Sequence, residues 1–210
     1  KSCCSNSKNI HRIIYWYKLF KHSFLYICRI NWYVNCCFYC KKIILRKILK
    51  NLRLTNNIKL INKKFKKNEF YHFLKTSNLS IVIPKIKNKY ILVSQKKVPI
   101  NQINFEFPSG IIEKHETALI SAKKELIEET GYKSRNKLRK ITSFYSEPGR
   151  LTTKITGFFC NNLIKISKPE KGIKIHIVSD HQIIKLIKNG KFNNASHIGM
   201  FLFYKKNTFK

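Results

Sequence analysis

Residues 118–131 read Ala-Leu-Ile-Ser-Ala-Lys-Lys-Glu-Leu-Ile-Glu-Glu-Thr-Gly, a run that fits a helix closed by Gly131 just past its end. With Glu125 set at zero on that helix, Glu129 falls at about +40° and Glu128 at about −60°, so three carboxylates share an arc of about 100°. Ala118 and Ser121 fall on the same face one and two turns earlier, which leaves room for something to sit there. Leu119, Ala122 and Leu126 gather to one side, and Ile120 and Ile127 lie across from the glutamates, where they can pack on a sheet. Like charges on neighbouring turns destabilise a helix by roughly 0.2–0.5 kcal/mol per pair, and the C-terminal half of a helix is the unfavourable end for anions. A solvated face would interleave lysine, which this chain has in excess. The arrangement makes sense if Mg2+ or Mn2+ neutralises it, since hard cations prefer carboxylate oxygen. A solvated acidic face is the alternative.

The rest of the composition sharpens that reading. The formal charge is +33, with only ten acids, and seven of them lie between Glu106 and Glu147. Residues 1–68 have none, against seventeen Lys or Arg. A chain that avoids acids elsewhere and gathers them here has a site that requires carboxylates. The positive charge by itself points to nucleic acid, an anionic membrane or phosphorylated substrates. An A/T-rich coding bias would enrich Lys, Ile and Asn together, however, and needs no partner.

Two regions follow. Residues 1–50 are basic and aromatic, hold six of the seven cysteines, and begin with Lys rather than Met, as in a fragment or a conceptual translation. Ser23–Cys40 comes nearest to a membrane span, but Arg29, Asn31 and Asn35 interrupt it. An unstructured or non-native leader is expected, with a basic segment touching membrane or nucleic acid as the alternative. Cys37 and Cys40 have CxxC spacing with no second pair, so unpaired thiols are expected rather than zinc.

Residues 51–210 read as one domain, with 51–78 a short β-rich subregion. Strands are expected at 58–70, 71–74, 79–84, 90–94, 103–107, 139–145, 153–160 and 173–178, with a hairpin turn across Lys85–Lys89. A second helix runs from Asp180, its expected N-cap, to Lys188 before Asn189-Gly190. Mixed strands and helices of this kind describe an α/β or α+β sandwich.

Around the glutamate helix the spacing becomes specific. Gly110 is followed after five residues by Glu116, and after seven more by Lys124-Glu125-Leu126-Ile127-Glu128-Glu129-Thr130-Gly131-Tyr132. This run resembles the Nudix box, departing from it only at Lys124, where the family has arginine. The resemblance implies an α/β/α sandwich with a mixed sheet and the family's loop-helix. It also implies metal ligands at Glu125, Glu128, Glu129 and the Ser109 carbonyl, an accessory acid at Glu116, and Lys124 bracing the glutamates beside Glu128. Lysine supplies the charge of that brace without a planar bidentate fork.

Outside the box, Gln95-Lys96-Lys97-Val98-Pro99, Glu106-Phe107-Pro108-Ser109-Gly110 and Ser146-Glu147-Pro148-Gly149-Arg150 resemble the ADP-ribose pyrophosphatase branch. That likeness implies a nucleoside diphosphate sugar as substrate, a homodimer and a cytoplasmic enzyme. Lys97, Glu106, Pro148, Gly149 and Arg150 would contact substrate. Glu170 would be the general base, with Glu128 the alternative. A Nudix fold weak in catalysis, acting as a basic binding module, is the contrasting expectation.

Overall fold

The computed structural model describes residues 55–66 and 69–208. The basic leader, with Ser23–Cys40 and the Cys37–Cys40 pair, lies outside the described residues. Among those described, no helix is long and apolar enough to cross a membrane.

A hairpin comes first, β1 (Ile58–Lys66) against β2 (Glu69–Thr76), and it forms a two-stranded sheet of its own. The main sheet follows. β3 (Leu79–Ile86) and β4 (Lys89–Lys97) form the expected hairpin, pairing Lys85 with Tyr90 and Ile86 with Lys89. Lys87 takes the left-handed conformation at the turn, φ 52°. β5 (Gln102–Glu106) pairs with β4, and the short β6 (Ser109–Ile111) pairs with β3. Helix α1 (Ala118–Thr130) then leads through β7 (Tyr132–Ser134) to β8 (Arg139–Tyr145) and β9 (Lys154–Cys160). β9 returns parallel to β3, which makes the sheet mixed, while β8 pairs antiparallel with β9. The chain closes with β10 (Leu163–Lys165), β11 (Lys174–Val178), α2 (Asp180–Lys188) and α3 (Ala195–Thr208). The central path runs β11-β4-β3-β9-β8.

Alternation along β3 sorts the sheet into two cores, because successive side chains point to opposite faces. Val82 faces α1 and packs with Ala122, Leu126, Leu138, Phe158 and Cys160. Ile81 and Ile83 face the other way, into a larger core with Tyr90, Phe107, Ile183, Phe192, Met200 and Phe201. Helix, mixed sheet and helices therefore form three layers, the α/β/α arrangement expected. Burying a side chain such as Leu126, 1% exposed, stabilises the fold by about 1.5–3 kcal/mol.

The differences from the sequence reading concern element ends, short strands, the packing face of α1 and one whole helix. Ser179, not Asp180, caps α2: its hydroxyl accepts from Gln182 N while Gln182 reciprocates, because a capping box needs a glutamine at the third helical position. Asp180 instead pairs with Lys205 at 3.0 Å. β6, β7, β10 and the whole of α3 were not expected. α3 interleaves exposed and buried residues with phenylalanines on both faces, so no clean helical stripe marks it in the sequence. Ile120, expected on the sheet, is half exposed, while Ser121 is fully buried. Ser121 Oγ bonds Ser80 Oγ at 2.9 Å, so α1 settles on β3 at Ser121 and leaves no room there, whereas Ala118, a turn earlier, borders an open cavity with Thr117, Leu119 and Phe158.

α3 seats on the sheet at Gly157, where an added Cβ would overlap the buried Met200 side chain. Gly157→Ala should therefore cost about 1–3 kcal/mol in urea unfolding. The double variant with Met200→Ala should lose less than the sum of the two single losses.

Candidate functional site

α1 presents its carboxylates at graded depth. Thr117 caps its start, the hydroxyl accepting from Ile120 N at 3.3 Å. Its buried face carries Ser121, Ala122, Leu126, Glu129 and Thr130, so Glu129 lies in the middle of the packed face. Glu125 and Glu128 stand at its margin, half-buried.

Glu129 is held by the strand that precedes the helix. The Ser109 amide donates to Glu129 Oε2 at 2.9 Å. Burial pushes the Glu129 carboxyl up to about 7; the Ser109 hydrogen bond opposes this and the Glu125 charge adds to it. Glu125 is also raised, first by burial and then by Glu128, with Lys124 acting against both. Its carboxylate lies directly over Gly110, where any Cβ would overlap it. The glycine of the box is thus a cradle for a carboxylate, and side-chain absence rather than backbone conformation is what the position requires.

The end of the helix brings in another acid. Gly131 ends α1 in the left-handed conformation, φ 69°, with its N–H donating to the Ile127 carbonyl. The last helical carbonyls need partners, and the end of β10 and the segment after it supply them. Glu170 N donates to Glu128 O at 2.9 Å, Ile166 N to Gly131 O at 2.9 Å, and Lys165 Nζ to Thr130 O at 2.9 Å. A lysine at this position also complements the helix dipole. Glu170 is thereby anchored next to Glu128, close enough for its charge to raise Glu125.

Lys124 stands differently from the expectation. Its ammonium lies 3.8 Å from Glu113 and 4.0 Å from Glu116, and Glu116, then Glu128 and Glu113, raise its pKa. It ties the loop before the helix to α1, and its influence on Glu128 is through space. At about −100° on the helix, a lysine turns toward the loop acids more readily than along the glutamate row.

Lys97 and Glu106 form an ion pair of 2.6 Å, with Glu106 7% and Lys97 32% exposed at the side chain. Burial alone would raise the Glu106 carboxyl, but His197, the Lys97 ammonium and the Asn194 amide outweigh it, and it sits below the usual range. Both Lys97 and Glu106 act electrostatically on Glu129, so the pair borders the glutamates. Pro148, Gly149 and Arg150 are not brought to this cluster. The Gly149 carbonyl accepts from the Tyr71 hydroxyl, Leu74 N donates to Arg150 O at 2.8 Å, and the Arg150 side chain is exposed 3.5 Å from Glu147. This turn holds the β1–β2 hairpin.

Asn104, Asn194 and His197 surround Glu106 and were not singled out in the sequence. The Asn193-Asn194 pair just before a run of apolar residues is a helix-start signal, and it was the one available clue.

No three His, Cys, Asp or Glu side chains among the described residues converge as a ready-made metal cage. The glutamates offer hard oxygen donors in a row rather than a closed shell. That suits an ion such as Mg2+, which keeps several waters and shares its coordination with phosphate.

Residues 75–171 match the NUDIX domain family. Over 63 residues the chain is 44% identical to an ADP-ribose pyrophosphatase of Bacillus subtilis (strain 168), covering 30% of this chain and 34% of that protein. Over a segment of the same length it is 36% identical to a methanol dehydrogenase activator of Bacillus methanolicus, with the same coverage. The matched segment thus spans about a third of these curated relatives. Among solved structures, an ADP compounds hydrolase superposes with TM-score 0.64 at 14% identity, covering 75% of this chain and 89% of the other. A NUDIX hydrolase from Nitrosomonas europaea superposes with TM-score 0.53 at 17% identity, covering 62% and 89%. At those identities the likeness is one of fold.

Glu129 has a pH signature. A carboxyl raised to about 7 in the fold from the unfolded 4.5 favours the folded state below about pH 4.5, and that contribution disappears as pH rises through 7. In metal-free protein, stability to urea should fall by roughly 2–4 kcal/mol across this window, and Glu129→Gln should remove most of the fall.

Proposed function

We propose that this chain, whose residues 75–171 form a NUDIX domain, is a metal-dependent pyrophosphohydrolase acting on ADP-ribose or a related nucleoside diphosphate sugar. The observation that carries it is the seating of the Glu125 carboxylate on Gly110, beside Glu128 and the Ser109-bonded Glu129. Such a cluster of half-buried like charges is costly unless a cation shares it. Glu125, Glu128 and Glu129, with the Ser109 carbonyl, would hold Mg2+ or Mn2+. Held there, such an ion would supply Lewis-acid polarisation of the pyrophosphate and make water a better nucleophile.

The remaining chemistry belongs to side chains. Lys97 offsets the phosphate charge that develops in the transition state. Glu170 orients and deprotonates the attacking water, with Glu128 next in line. Glu116 anchors Lys124 at the entrance to the helix. Pro148, Gly149 and Arg150 reach a substrate only from the hairpin side, where a second copy of the chain would stand. A homodimer suits the exposed apolar side chains of Val98, Ile100 and Ile103, which neighbour Lys97 in sequence. A cytoplasmic location goes with this reading.

The contrasting reading, a NUDIX fold retained for binding, is favoured by Lys124 pairing with the loop acids rather than with Glu125 or Glu128. A panel of nucleoside diphosphate sugars incubated with Mg2+ separates the two. The enzyme should release AMP and ribose 5-phosphate from ADP-ribose, and Glu129→Gln should abolish most of that release. Equal product from both proteins would sink the role given to the helix. Glu170→Gln should lower kcat by about 10²–10⁴-fold with KM little changed; an unchanged kcat would move the base to Glu128.

A further inference from the structure

The stretch leading into Gly110 is tied on its open edge to a distant part of the chain. β5 pairs with β4 on one side only. On the other side the Phe105 N–H donates to Lys191 O at 2.8 Å, and the Asn193 N–H donates to Asn104 Oδ1 at 3.4 Å. Asn194 Nδ2 donates to Glu106 Oε1 at 3.0 Å, and the Phe107 N–H donates to His197 Nδ1 at 3.1 Å. Four successive residues are thus anchored by the segment 191–197 at the start of α3.

Glu106 is the point where this clamp meets the site. Its Oε1 receives Asn104 and Asn194, both at 3.0 Å, and its Oε2 receives Lys97 at 2.6 Å. With two amides on one oxygen, the carboxylate has one orientation, and the other oxygen can aim only at Lys97. Asn194 is itself fixed as a helix cap, since its Oδ1 accepts from Ser196 N at 3.1 Å and its carbonyl from His197 N at 3.1 Å. His197 is buried and its pKa is pushed down to about 4, so a neutral ring accepts at Nδ1 from the Phe107 amide. A lysine side chain has four rotatable bonds and no fixed fork of its own, so its ammonium needs an external constraint to meet a phosphate at one place.

We propose that Asn194, supported by His197, is a positioning residue of the active site: through Glu106 it fixes the Lys97 ammonium where the pyrophosphate must lie. The inference rests on Lys97 being a phosphate contact of the pyrophosphohydrolase proposed above. It assigns a role in that site to the C-terminal segment, outside the matched residues 75–171.

Asn194→Ser tests it, because serine keeps an oxygen for the Ser196 amide and removes the donor to Glu106. Asn194→Thr, a neutral cap that also lacks the amide donor, serves if the serine variant melts early. In the full chain with ADP-ribose and Mg2+, kcat/KM should fall roughly 10- to 100-fold with the melting temperature unchanged. The same substitution placed in Lys97→Ala should add no further loss, since the two act as a unit. Equal losses in both backgrounds would overturn the proposal and leave Asn194 a structural cap. A second measurement needs no turnover: acylation of Lys97 by an N-hydroxysuccinimide ester, followed by peptide mass spectrometry. That rate should rise several-fold in Asn194→Ser, and an unchanged rate also overturns the proposal. Wild-type protein that hydrolyses nothing while showing the acylation difference would refute the assigned reaction and keep the positioning.

Discussion

The hydrogen bond from the Ser109 amide to Glu129 joins the two halves of the site. It links a strand residue on the β3 side of the sheet to the buried face of α1, and it does so where water has little access. A buried carboxylate is tolerated only with such a partner. The bond therefore fixes the rotation of the helix about its own axis. With Glu129 turned inward, Glu125 must fall on Gly110 and Glu128 must look toward the loop that carries Glu170. The order of burial, from Glu129 outward, follows from one donor.

Much of this was legible in residues 110–131. The spacing from Gly110 to Glu116 to the Glu125–Glu129 run described the helix and the grouping of its three carboxylates, because helical geometry is regular and glutamates are scarce in this chain. It did not describe which face packs: Ser121 and Glu129 turn inward and Ile120 outward. β3, β4 and β9 were readable from compact β-branched runs. What escaped the sequence depended on the partner rather than on the segment. Ser121 looked like a small residue bordering open space and instead pairs with Ser80. The sequence of α3 is apolar on more than one face, so its buried stripe of His197, Met200, Phe201 and Tyr204 is set by the packing, with Met200 seated on Gly157. Asp180 and Ser179 are adjacent candidates for one cap, and Gln182 decides between them.

Lys124 shows how electrostatics redistributes when one residue differs. Its ammonium settles on Glu113 and Glu116 and acts on Glu125 only through space, while burial, the Ser109 amide and neighbouring Lys97 set the charge of Glu129. Lys165 meanwhile occupies the helix's negative end. The cluster is thus bordered by three lysines, each bonded to something other than the Glu125, Glu128 and Glu129 carboxylates. The positive charge so abundant in this chain is kept within range of the glutamates and off their oxygens, which leaves those oxygens available.

The clamp of residues 191–197 on the β5 edge has a consequence for the order in which the molecule matures. A chain made from its N-terminal end produces Gly110, the glutamate helix and the Glu170 loop well before Asn194 and His197 emerge. Until then the edge of β5 stands open and Glu106 lacks one of its amide donors, although the other layers can already pack. The carboxylate row is consequently assembled early and tuned late. A nascent chain would pass through a stage in which the helix is folded and Lys97, lacking a fully held Glu106, is still loose.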